Sequence, residues 1–162
     1  MNSIEIESVL NGYNWNRFNF LGCFSADQLP DIDTINSKLP VCFIANVEPA
    51  NQGGSHWVAF VIPKEGFCEY FCSLGISFYH WPLFTDYIRN SMCFESILMN
   101  RKQIQSSNSN ICALYCIEFL VQRDRGLSFT TILNKYSKTN LLCNDLQTIS
   151  YFKEFKKKFH ID

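Results

Sequence analysis

The sequence predicts an α+β fold, a small mixed or antiparallel sheet packed around one central buried helix. Three observations carry that expectation. First, "PVCFIANV", "HWVAFVI" and "FCEYFC" are short apolar runs of strand length, rich in β-branched and aromatic residues. Second, the last two flank "PKEG", where Pro63 presets φ and Gly66 tolerates a positive φ, which is the pattern of a hairpin. Third, the stretch from Ile111 to Val121 is apolar almost all round, broken only by Glu118. A helix with no polar face belongs in the middle of a fold, covered on more than one side. At 162 residues the chain is long enough to bury such a core as a single domain, residues 1–162.

The elements follow in order. "SIEIESVLNGY" has the apolar spacing of a short amphipathic helix stopped by Gly12. "FNFLGCFSADQLP" reads as an aromatic-rich connection and "DIDTINSK" as loop. "PVCFIANV", apolar without alternation, is expected to be a strand buried on both sides. After the hairpin come a loop over "SLGISFYHWP", a helix from Leu83 to Arg89 and a strand around "ESILMN". The buried helix then ends at "QRDRG", with arginines at its negative end and Gly126 as its stop. Helical pieces from Ser128 and from Asn144 close the chain, and residues 151–162 form a basic tail with Lys153, Lys156, Lys157 and Lys158.

Composition excludes several functions. A net charge of −1 makes the whole protein no magnet for nucleic acid, which leaves the tail as the one candidate for an anionic polymer. No apolar run has the length of a membrane span, and the first residues lack the basic start and apolar block of a signal peptide. An intracellular chain is therefore expected, with its eight cysteines reduced and most of them packed as small hydrophobes. The CxxxC pairs Cys68/Cys72 and Cys112/Cys116 raise a metal site. Residues four apart on a strand lie about 13 Å apart, so the first pair cannot chelate one ion, and no metal is expected.

Two residues carry a chemical argument. Cys112 follows the polar run "SSNSN", rich in helix-capping residues, so its thiol is expected in the first helical turn. There the N–H groups favour a thiolate and can bind a developing oxyanion, to which Gln105 could add a side-chain amide. His56 opens the first hairpin strand. If Ile62 faces Phe67, then His56 faces Ser73; a bulge or a one-residue slip brings Cys72 beside the ring instead. Either residue could hold an imidazole N–H. Taken singly, His56 and Cys112 are each more often structural than catalytic, and Cys116 reads as packing outright.

Taken together, and in this order, "GGSHWVAFVI", "EYFCSLG" and "QIQSSNSNICALYCIEFL" resemble the adenovirus-type cysteine endopeptidases, the adenains, above all the versions carried by Maverick/Polinton elements and related viruses. "RFNFLGCFSADQLPDI" resembles the N-terminal segment of that family. More distantly the chain is similar to SUMO-deconjugating proteases, which share the order His, acid, Gln, Cys. The resemblance implies their fold, with His56 as general base, Gln105 in the oxyanion hole, Cys112 as nucleophile and Trp57 walling the substrate cleft. It implies thiol endopeptidase activity on viral or element precursor proteins at small-residue, Gly-containing sites, in the host nucleus or the virion. It also implies an activating peptide attached near Cys93, DNA as an activator through the basic tail, and no metal cofactor.

Two positions depart from the family pattern. The acid position, three residues before the Gly in "YFCSLG", is Cys72, and the residue after the nucleophile is Ala113 where Gly is usual. Ala113 keeps its backbone N–H. Cys72 leaves His56 without an anionic partner, since Glu69, three residues away, falls on the other face of its strand. Hence two readings stand beside the endopeptidase: a protease-like protein kept for its peptide cleft or as a particle component, and a SUMO- or ubiquitin-like deconjugating enzyme.

Overall fold

The computed structural model describes residues 1–90 and 96–161. Cys93, implied above as a peptide attachment point, lies outside the described residues. Among them five strands form one sheet: β1 (Asn19–Phe24), β2 (Val41–Asn46), β3 (Trp57–Ile62), β4 (Cys68–Phe71) and β5 (Ile97–Met99). The strand order is β1-β2-β3-β4-β5. The outer pairs, β1 with β2 and β4 with β5, are parallel, and the inner pairs are antiparallel, so the sheet is mixed.

Six α-helices among the described residues cover both faces. They are α1 (Ser3–Asn11), α2 (Ile32–Lys38), α3 (Pro82–Asn90), α4 (Cys112–Asp124), α5 (Phe129–Leu133) and α6 (Leu141–Phe159). One face of the sheet, with Cys42, Ile44, Ala59, Val61 and Phe71, packs on α4 together with Ile6 and Leu10 of α1, Ile132 of α5 and Phe155 of α6. Phe71 stacks on Phe119 of α4 at 4.4 Å between ring centres. The other face, with Val41, Phe43, Phe60, Tyr70 and Cys72, packs on Ile35 of α2 and Phe84 of α3. All six residues of β2 are buried, which is why its sequence shows no alternation. Helix α4 has the all-round burial its composition requires, Glu118 included.

Four local expectations are corrected. The connection before residue 30 contains strand β1, which escapes notice because its ladder shifts between Phe20 and Cys23, at Gly22 with φ +120°. A bulge breaks the two-residue period on which strand recognition depends. The stretch expected as loop is helix α2, started by Asp31, whose carboxylate accepts from Thr34 N–H at 2.8 Å. It buries only Ile35 and so has no apolar spacing to read. The hairpin register is slipped by one residue: Ala59 faces Phe71, Phe60 faces Tyr70 and Val61 faces Glu69. Phe67 leaves the ladder and turns to solvent, because the turn spends one more residue than expected. Finally, the cap of α4 is Ile111, with no side-chain hydrogen bond, so the Ser/Asn run precedes the helix without capping it.

Residues 151–159 are the last turns of α6, with Phe155 and Phe159 packed against Tyr13. No helix among the described residues is long and apolar enough to cross a membrane.

Candidate active site

The site lies at the end of the sheet where α4 begins. His56 stands one residue before β3, and Cys72 one residue after β4. Extending the observed register puts Val58 opposite Cys72, so His56 is a diagonal neighbour of Cys72 on the same face. The contact follows: His56 Nε2 lies 3.3 Å from Cys72 Sγ. That occupies one ring nitrogen and leaves Nδ1 for the cleft.

His56, Trp57, Gln105 and Cys112 all line one cleft of about 500 Å³, together with Leu74 and Trp81. Cys112 is the first residue of α4 and 8% exposed. With no side-chain cap on this helix, its first N–H groups are left to the cleft. Cys116, one turn deeper, is fully buried and donates its thiol to the Trp57 carbonyl at 3.4 Å. Trp57 is half-buried and its indole N–H donates to the Met1 carbonyl at 3.1 Å.

Gln105 is held from both ends. Its side-chain carbonyl accepts from Ser73 Oγ at 2.6 Å, and its amide donates to the Ser109 carbonyl at 2.6 Å. A primary amide has two N–H bonds, and the second remains for a ligand in the cleft. The adjacent residues Cys72 and Ser73 thus serve different partners, the first the imidazole and the second the glutamine. Backbone bonds reinforce the arrangement, since Ile104 and Gln105 N–H both donate to the Ser73 carbonyl.

Several supporting residues escaped the sequence reading. Asn100 clamps Cys72, accepting from its N–H at 2.9 Å and donating to its carbonyl at 2.5 Å. Asn144 and Asp145, at the start of α6, hold the glutamine loop: Asn144 donates to the Ile104 carbonyl, and Asp145 accepts from Ser106 N–H and from Tyr115 Oη. Gly75, at φ +68°, packs against the Lys102–Gln103 peptide so closely that a Cβ there would meet backbone atoms at 2.6–2.7 Å. No local signal marks these residues: Asn100 is followed by Arg101 and Lys102 and Asn144 by Asp145, so each reads as an ordinary polar position.

The electrostatics follow from burial. The His56 pKa is lowered to about 4, because the ring is buried with no carboxylate beside it to favour the cation. Burial likewise pushes the Cys72 thiol up, against backbone N–H groups of Ile76, Leu74 and Gly75 and the Tyr70 hydroxyl, which all favour its anion. The Tyr70 Oη and Trp81 Nε1 atoms, both buried, have no hydrogen-bond partner among the described residues. Donors therefore surround position 72, and the side chain there is a neutral thiol. Glu69, on the far side of the strand, is engaged elsewhere: Arg123 grips it with two bonds of 2.7 Å. No group of His, Cys, Asp and Glu among the described residues is arranged to hold a metal ion.

No family model matches the sequence, and no curated protein matches it. Among solved structures the chain is similar to the ASFV pS273R protease, with 18% identity and a TM-score of 0.47 over 67% of this chain. The matched region is 42% of that protein's chain.

Proposed function

We propose that the protein is a thiol endopeptidase working through Cys112 and His56. One observation carries the reading: three separate segments deliver a thiol at a helix start, a buried imidazole and a doubly held glutamine amide to a single cleft. Each residue alone is compatible with packing, but packing gives no reason for the three to converge.

His56 is neutral at pH 7 and its Nε2 faces Cys72, so Nδ1 takes the proton of the Cys112 thiol. The sulfur attacks the scissile carbonyl. The resulting oxyanion is held by the second Gln105 N–H and by the first N–H groups of α4. His56 returns the proton to the leaving amine, and water, deprotonated by the same ring, releases the acyl group. Cys72, as acceptor for Nε2–H, fixes the tautomer that leaves Nδ1 basic. As a neutral partner it does little to stabilise the imidazolium, so the enzyme is expected to be slow. The resemblance of the sequence to adenains supports precursor polypeptides with small residues at the cut as substrates.

The second reading, a protease-like binding protein, is favoured by that same Cys72. Alkylation of Cys112 against pH, followed by peptide-resolved mass spectrometry in the parent and in His56→Ala, separates the two. Fast alkylation of Cys112 that drops about tenfold or more without His56 supports the enzyme. An ordinary thiol, indifferent to His56, leaves only the binding reading.

A further inference from the structure

A second pocket opens on the other side of the glutamine loop. Its volume is about 290 Å³. Its floor is apolar, formed by Met99, Ile104, Phe129, Leu133 and Tyr136. Arg101, Lys102 and Lys138 also line it, all three exposed, and no Asp or Glu among the described residues does. Asp145 is engaged elsewhere, accepting from Tyr115 and Ser106, and Glu118 is buried in α4 outside the pocket lining.

This concentration of one sign is local, because the chain as a whole carries a net charge of −1. It is also electrostatically unfavourable. The Lys138 side chain lies so close to Lys102 that it holds the Lys102 ammonium below its ordinary range. Like charges pressed together beside an apolar cavity are relieved by an anion between them. The volume fits one ring or a short chain, the lower end of what small-molecule sites enclose.

We propose that this pocket binds a small anionic amphiphile, an apolar body the size of a substituted ring bearing one carboxylate or phosphate, with the body on Phe129 and Leu133 and the head group between Arg101, Lys102 and Lys138. The site is independent of the catalytic reading, since none of these residues takes part in the chemistry at Cys112.

The test uses 4-phenylbutyrate as probe, its neutral amide and inorganic phosphate as controls, and backbone-amide shifts with calorimetry as readouts. The expected result is saturable binding of 4-phenylbutyrate that moves the amides of residues 99–104 and 129–138. The neutral amide, phosphate alone, and the Lys102→Gln/Lys138→Gln double variant should each bind about tenfold more weakly or less. Equal affinity for acid and amide would overturn the anion assignment. So would shifts elsewhere in the protein, or no saturation up to millimolar probe. Both lysines are exposed, so the double variant is expected to fold, and an unchanged amide spectrum away from the pocket checks that it does.

Discussion

The two ends of α4 solve the same problem differently. At its C-terminal end the chain buries two carboxylates and satisfies both. Asp124, 1% exposed, accepts from the N–H groups of Asn16, Arg17 and Phe18 and from Tyr13 Oη. Glu69 is clasped by Arg123. At the N-terminal end the corresponding acceptor beside His56 is a thiol, ringed by donors that it serves poorly. Anions are therefore spent where they fix the fold, and the place where one would tune an imidazole goes without. The chain can bury a carboxylate, so the thiol at position 72 is a local feature of the site.

That contrast can be broken at either end. The largest effect is expected at the structural end. Asp124→Ala leaves three backbone N–H groups and a tyrosine hydroxyl without their acceptor, and chemical denaturation should show a loss of about 3–5 kcal/mol. At the other end, Cys72→Asp supplies the missing anion to a ring whose neighbours already donate. The His56 pKa should rise from about 4, and Cys112 alkylation near pH 6–7 should speed up by about ten- to a thousandfold. An unchanged rate would mean that His56 does not act on Cys112.

Acid should weaken the fold through the same histidine. A histidine held neutral in the fold has a native pKa below its unfolded value, so the unfolded chain binds the extra proton first. Stability from His56 is complete above about pH 6.5 and is lost as pH falls towards 4, by up to about 3 kcal/mol. A urea titration at several pH values measures it, and His56→Gln should flatten the slope in that window. The smallest effect is Gly75→Ala. The new Cβ would strain a positive φ and press on the Lys102–Gln103 peptide, costing about 1–2 kcal/mol. Because that peptide leads into Gln105, a fall in Cys112 reactivity is expected beyond the loss of stability.

The sequence was most legible where periodicity and burial agree. Strand β2, the hairpin and α4 were readable because each is covered on both sides and says so in its composition. Strand β1 and helix α2 were not, one hidden by a bulge and the other by having a single buried residue. For the site, His56, Gln105 and Cys112 were named from local chemistry and a family likeness, and the fold places them round one cleft. Asn100, Asn144 and Asp145 could not be named. Their work is to bond backbone and side chains that are distant in sequence, and no local pattern encodes that.

The extra residue in the hairpin turn, residues 63–67, has a further consequence. Because neighbouring side chains of a strand point to opposite faces, the length of that exposed turn decides the identity of every group β4 presents. A turn shorter by one residue would carry Ser73 towards His56, draw Cys72 towards the glutamine and lift Glu69 away from Arg123. A surface segment thus acts as their selector. Insertions and deletions there should be far less tolerated than its exposure suggests.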